Sequence, residues 1–221
     1  MWRNGEHYRD PTAGAALACI EKEERMNTGK RFEADWKASV PADAWYLRLK
    51  DSPATFYGGA QEGVRFSADN ICDSLLFRAP VLYLVELKTV GTPSASLESM
   101  FGKFDPAKGR WKKQKHLADM AKAAQRPGIA ALVVINFRAR GVTYAVPAEA
   151  VLDFMRLTLD GGRRSIPPAW CAEHGVLVGQ RQLRVNWRYD VAGMMDKTPV
   201  LPGSQKRLHQ TPMDEIEERR S

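Results

Sequence analysis

Residues 71–88 read ICDSLLFRAPVLYLVELK, Ile71 through Lys88, and the rest of the chain is organised around them. Apolar and aromatic residues crowd two short runs on either side of Arg78-Ala79-Pro80, so the stretch predicts two strands joined by a turn. Asp73 lies inside the first run, and Glu86 and Lys88 close the second. Strand side chains alternate faces, which puts Leu82, Leu84, Glu86 and Lys88 on one face and Tyr83, Val85 and Leu87 on the other. A carboxylate and an ammonium two residues apart therefore project together from the end of an apolar strand. With Asp73 on the neighbouring strand, two acids and one lysine can converge on one point. Hard cations such as Mg2+ take oxygen ligands of this kind, one or two carboxylates plus substrate phosphate.

The triplet Glu86-Leu87-Lys88 has a plainer use as well, since Lys and Glu also protect sheet edges as ion pairs. A second acid-x-lysine triplet, Asp35-Trp36-Lys37, falls where the spacing is helical, and there residues i and i+2 do not face each other. The surrounding chain favours the chemical use of Glu86 and Lys88.

Asp73 followed thirteen residues later by Glu86-Leu87-Lys88 resembles the PD-(D/E)xK nuclease signature. The upstream run Asn27-Thr28-Gly29-Lys30-Arg31-Phe32-Glu33 and the downstream Gln114 resemble the flanking motifs of RecU-type Holliday-junction resolvases and their bacteriophage-borne relatives. The resemblance spans roughly residues 27–190. It implies an α/β fold, a restriction-endonuclease-like mixed sheet flanked by helices, and cleavage of DNA assisted by Mg2+ or Mn2+. In that reading Asp73 and Glu86 hold the metal with the Leu87 carbonyl, and Glu33 holds a second metal or its water. Lys88 orients or deprotonates water, or offsets charge in the transition state. Gln114 orients the nucleophile or contacts the DNA backbone. The implied partners are branched DNA, a four-way junction, and a second copy of the chain in a homodimer. The sequence departs from the pattern at Thr28, where the family has Arg, in lacking a His before Gln114, and in residues 104–113, which look inserted. These departures bear on substrate choice and leave the cleavage residues in place.

Composition agrees with an anionic partner. At 221 residues, 44% apolar and 27% charged, the chain suits one sizeable globular core. The net charge is +7 and the pI near 9.4. Between Gly102 and Lys115, six cations (Lys103, Lys108, Arg110, Lys112, Lys113 and Lys115) stand against one Asp, with Trp111 among them. Such a segment serves as a solvated loop or, beside a phosphodiester-cleaving site, as a DNA-binding one in which Trp111 stacks on an unpaired base. No apolar run is long enough to span a bilayer, and the first residues lack the apolar core of a signal peptide. Cys19, Cys72 and Cys171 are far apart and odd in number, which predicts reduced thiols in a cytoplasmic setting and no zinc site.

Along the chain, Asp10-Pro11 opens an expected helix, so residues 1–26 read as an N-terminal helical extension. The nuclease domain is expected over 27–190. In its first helix Phe32 and Trp36 face the core one turn apart, while Glu33 either pairs with Lys37 or leans toward the metal. Residues 44–49 suggest a strand and 51–69 a long loop. Leu117, Met120, Ala121 and Ala124 mark a helix with Gln114 on its inward stripe, unless that Gln simply faces solvent. Ile129–Phe137 reads as a strand buried on both faces. Residues 142–146 add a strand, 147–159 a helix and 176–189 an arginine-studded hairpin or arm. Residues 191–221 are expected to form a flexible tail.

Three functions remain open at this stage. The first is a structure-selective, metal-dependent DNA endonuclease of recombination or phage DNA processing. The second is a related nuclease acting on DNA ends or other branched DNA. The third is a non-catalytic DNA-binding module of the same fold, which would have no need of the full set Asp73, Glu86 and Lys88.

Overall fold

The computed structural model describes residues 28–49, 70–159 and 161–200, so the expected N-terminal extension, Cys19 and the 51–69 loop lie outside the described residues. Their core is a six-stranded mixed sheet flanked on both faces by helices. Strands β1 (Trp45–Arg48), β2 (Ser74–Arg78) and β3 (Val81–Val90) form an antiparallel meander. Strand β3 then pairs in parallel with β7 (Ile129–Phe137), which continues antiparallel to β8 (Val142–Pro147) and β10 (Val176–Val178).

A parallel pair needs a long crossover. Here it contains β4 (Ala95–Ser96), helix α2 (Leu97–Phe101), a hairpin of β5 (Phe104–Asp105) and β6 (Arg110–Trp111), and helix α3 (Gln114–Ala124).

Alternation along the central strands divides the core in two. Leu84 and Val90 of β3, with Ala131, Val133, Ile135 and Phe137 of β7, pack under α2, α3 and helix α4 (Ala148–Leu159). Tyr83, Val85 and Leu87, with Ala130, Leu132 and Val134, pack on the other face against α1, residues 28–37. Phe32 and Trp36 anchor α1 there, 5% and 0% exposed, as their one-turn spacing predicts. Strand β7 is buried on both sides because it is paired at both edges and covered on both faces.

Several expectations are corrected. Asp73 is not within a strand but immediately precedes β2, where the ladder opens. The basic segment is not an irregular loop: Phe104 pairs with Trp111 and Asp105 with Arg110. The unit also does not end at residue 190. Helix α6 (Val191–Lys197) follows, capped by the Asp190 carboxylate on the Gly193 amide, and buries Val191, Met194 and Met195. Its apolar residues are spaced to cover the sheet face beside α1, so the expected flexible tail cannot begin at 191. Residues 201–221 lie outside the described residues.

The segment before α6 supplies β9 (Ser165–Ile166), helix α5 (Pro168–His174) and, beyond β10, a hairpin of β11 (Gln180–Gln182) and β12 (Trp187–Tyr189). Cys72 and Cys171 are unpaired and buried, and burial pushes both thiols up to about 12. They are packing groups rather than nucleophiles.

Candidate active site

The β2–β3 hairpin brings the acids together by register. The last paired step is Ser74 opposite Val85, so Asp73 comes level with Glu86 one step further on. The Asp73 carbonyl accepts from the Leu49 amide at 3.0 Å, which ties it to the end of β1. Its carboxylate Oδ2 accepts from the Leu87 amide at 2.7 Å, taking the part a ladder carbonyl would play. The N–H and C=O of one strand residue point to the same edge, so the Leu87 carbonyl faces that side too.

Across the open edge, Lys88 Nζ donates to Glu86 Oε1 at 2.5 Å. The ammonium lies 5.9 Å from the centre of the Phe101 ring, so α2 roofs it. Both side chains are mostly buried.

These groups perturb one another. Burial raises the Asp73 carboxyl to about 6, and the Glu86 charge adds to the effect; Lys88 and the Leu87 N–H act against it, while Glu33 reinforces it. For Lys88, burial alone would favour the neutral amine. The Glu86 and Asp73 charges, the Glu86 hydrogen bond and Glu33 outweigh burial and hold it above the ordinary lysine range. The site is therefore a carboxylate pair short of positive charge, with one fixed cation.

Glu33 belongs to the same electrostatic group, since its charge acts on both Asp73 and Lys88. Phe32 fixes the helix against the sheet, and the next residue is directed past the edge of β1. There Glu33 pairs with Arg48 rather than with Lys37. Arg48, and Tyr46 on the same face of β1, went unnoticed in the sequence. The Tyr46 hydroxyl is held up by burial and stands beside Ser74, in the field of Arg48, Glu33 and Asp73. The signal was the two-residue spacing of Tyr46 and Arg48 in a strand that pairs with β2.

Gln114 opens α3, half-buried, and its Oε1 accepts from the Trp111 amide at 3.0 Å. It joins the β5–β6 hairpin to the helix. The Lys113 amide donates to the Phe101 carbonyl at 2.9 Å, which links this junction to the roof over Lys88. The structure gives Gln114 no hydrogen bond to the acids.

Trp111 requires a correction. It is 3% exposed and packed edge-to-face against Phe104, with ring centres 5.3 Å apart. A ring enclosed in this way has no free face for a base. The strand alternation that turns Arg110 outward turns Trp111 inward. Lys103, Lys108, Arg110, Lys112, Lys113 and Lys115 are all exposed, and Lys108 pairs with Asp105 at 3.4 Å.

Whether this set suits a divalent cation can be judged from its donors. Among the described residues, no three His, Cys, Asp or Glu side chains are gathered as a ready cage. Asp73 and Glu86 with the Leu87 carbonyl make a hard oxygen set on one open edge. That is what Mg2+ requires when substrate phosphate and water complete its shell. The elevated Asp73 carboxyl is the mark of a site that gains from added positive charge. The residues fit Mg2+ or Mn2+. None of the helices among the described residues is long and apolar enough to cross a membrane.

No protein-family model matches the sequence, and no curated protein matches it. Among solved structures, the chain is similar to Hjc, a Holliday junction resolvase from the archaeal hyperthermophile Archaeoglobus fulgidus, with a TM-score of 0.39 and 16% sequence identity over 67% of this chain and 95% of that one.

Proposed function

We propose that this chain is a metal-dependent DNA endonuclease that selects branched DNA, with a four-way junction as its substrate and a homodimer as its working form. The observation that carries the reading is the grouping of Asp73, Glu86 and Lys88 at the open end of the β2–β3 ladder, with Glu33 and Arg48 alongside.

A phosphodiester resists attack because its anionic oxygens repel a nucleophile. Asp73 and Glu86, with the Leu87 carbonyl, would hold Mg2+ or Mn2+, and Glu33 is a further carboxylate whose charge acts on both Asp73 and Lys88. When bound, such a cation supplies polarisation of a phosphoryl oxygen and a lower pKa for attacking water. Lys88, paired with Glu86, is a cation at neutral pH, which favours charge stabilisation over the role of base. Phe101 over Lys88 limits the access of water to its ammonium. The six exposed cations between Lys103 and Lys115 supply phosphate contacts. Gln114 holds this segment onto α3 through the Trp111 amide. Symmetrical cutting of a junction calls for two such sites related by a two-fold axis, hence the homodimer.

The test is cleavage of labelled four-way junctions, forks and linear duplex by the purified full chain, with Mg2+ and with chelator, alongside its solution mass. Magnesium-dependent nicking of the junction in preference to duplex is expected, and the Asp73→Asn variant should be inactive. A wild-type chain that cuts none of the three in Mg2+ or Mn2+ would overturn the reading.

A further inference from the structure

A cavity of about 270 Å3 opens between α1 and the β11–β12 hairpin, on the opposite face of the sheet from Glu86 and Lys88. Its floor is Thr89 and Asn136, at the ends of the parallel strands β3 and β7, where they stand opposite each other. Thr89 is the residue after Lys88, so the cavity and the acidic site are the two faces of one strand end.

The polar groups of the floor have a fixed direction. The Thr89 hydroxyl donates to Asn136 Oδ1 at 3.1 Å, and Asn136 Nδ2 donates to Thr143 Oγ1 at 2.8 Å. The Thr143 hydroxyl in turn donates to Gln180 Oε1 at 2.5 Å. Asn136 and Thr143 are buried, 4% and 0% exposed, so the chain is well shielded from solvent. With its oxygen engaged, Gln180 has its amide hydrogens left to offer a ligand. Arg138 lines the same cavity, as does Arg31, whose guanidinium donates to the Val185 carbonyl at the rim. Its one carboxylate, Asp35, is occupied by the Trp187 amide at 3.1 Å. The free groups are therefore predominantly donors, which suits a ligand rich in acceptors and negatively charged. Trp187, half-buried, adds an aromatic wall.

A cation stands at the end of the same strand as well. Gly91 follows the end of β3, and a Cβ placed on it would stand 2.9 Å from Arg138 Nη2. The absence of a side chain there lets the guanidinium lie over the strand end, beside the cavity. Among the described residues no carboxylate forms a salt bridge with Arg138, and its side chain is exposed.

We propose that this cavity takes an unpaired nucleotide of the DNA strand being cut, with its base between Trp187 and the Gln180 amide and its phosphate on Arg138 over Gly91. The inference rests on the nuclease reading and deepens it. Discrimination for branched DNA comes from a base that must leave the duplex to enter the cavity, at a site that six surface cations alone could not provide. A nucleotide paired in duplex cannot reach the floor, because its acceptor edge is engaged with its partner and its faces are stacked.

The experiment measures binding of the full chain, in Ca2+ to prevent cleavage, to a junction, to a duplex carrying one unpaired nucleotide and to intact duplex, with 2-aminopurine at the unpaired position. Wild type is expected to favour the first two and to change the 2-aminopurine emission. Gln182→Trp, which fills the cavity from its exposed rim, and Arg138→Gln should each reduce that preference about tenfold, the value of one base contact, and Gln182→Trp, which removes no charge, should leave affinity for intact duplex the same. Both positions are exposed, and unchanged thermal unfolding establishes that the variants fold. Variants that keep the full preference overturn the cavity site and leave the nuclease reading standing. A wild-type chain that binds none of the three DNAs overturns both. Millimolar free deoxynucleoside monophosphate should compete for the cavity and reduce the preference of wild type while leaving the residual preference of Gln182→Trp unchanged, and equal competition in both overturns the cavity site.

Discussion

The Leu87 amide donates to Asp73 Oδ2 at 2.7 Å, so a backbone group of the central strand orients the carboxylate that stands level with Glu86. Asp73→Asn keeps a side-chain acceptor for that amide but removes the charge. We expect it to lower Mg2+-dependent cleavage by at least about a hundredfold with DNA affinity retained, because in the proposed function binding rests on phosphate contacts elsewhere. Cleavage assays paired with fluorescence anisotropy check this, and near wild-type turnover would remove Asp73 from the site.

The carboxyl of Asp73 at about 6 has a consequence for stability without metal. Its ordinary value is about 3.9, so the folded state binds this proton more tightly than the unfolded state does. The contribution is fully present below pH ~4 and is lost as pH rises through ~6, and its size is on the order of 2–3 kcal/mol. Asp73→Asn should therefore stabilise the chain relative to wild type near neutral pH and by much less near pH 4. Mg2+ should raise the wild-type midpoint at neutral pH and leave that of the variant unchanged. Urea unfolding across this pH range, with and without Mg2+, measures both effects.

Lys88 is held against Glu86 in a space roofed by Phe101. Replacing it with Ala should lower turnover by roughly two to three orders of magnitude, the scale of one lost electrostatic contact to a developing charge. Arg keeps the charge but is planar and bulkier and does not fit under the ring, so Lys88→Arg should not restore activity. Full rescue by Arg in single-turnover assays would reduce Lys88 to a source of diffuse charge.

For the basic hairpin, replacing Lys108, Arg110, Lys112 and Lys113 with Ala should weaken binding uniformly across DNA sequences. It should also flatten the salt dependence of log K by as many as ~3–4 units if all four contact phosphate. Trp111→Ala acts differently. Because the ring is buried against Phe104, it should cost about 3–5 kcal/mol of stability and show no preference among DNA structures. Binding over a salt series and thermal unfolding separate the two effects.

Much of this site was legible because it follows the two-residue period of strands. The period put Glu86 and Lys88 on one side, and the turn at Ala79-Pro80 brought Asp73 back beside them. The same period, applied to Arg110 and Trp111, would have turned the tryptophan inward. The segment read as a loop because two-residue strands leave almost no pattern. Arg48 escaped notice because its partner Glu33 lies on a helix fifteen residues earlier, and no local rule joins a helix carboxylate to an edge-strand cation. Helix α6 was missed because it is only about two turns long and contains Gly193, so it depends on the Asp190 cap and on the packing of Val191, Met194 and Met195 against the sheet. The cavity beside β3 depends on four separate segments, and no sequence spacing reports it.

Strand β3 is hydrogen-bonded on both edges and sandwiched between two apolar layers. Its amides from Leu84 to Glu86 should exchange with solvent only when the whole molecule opens, at the slow limit for this chain. The residues that would perform chemistry thus sit on an anvil that cannot yield to a substrate. In the proposed function, adjustment to the shape of a DNA branch would fall to the two-stranded hairpins β5–β6 and β11–β12, whose strands pair only with each other and are only marginally stable by that pairing. Their exchange should be fast in the free protein and slow when DNA is bound, while that of β3 does not change.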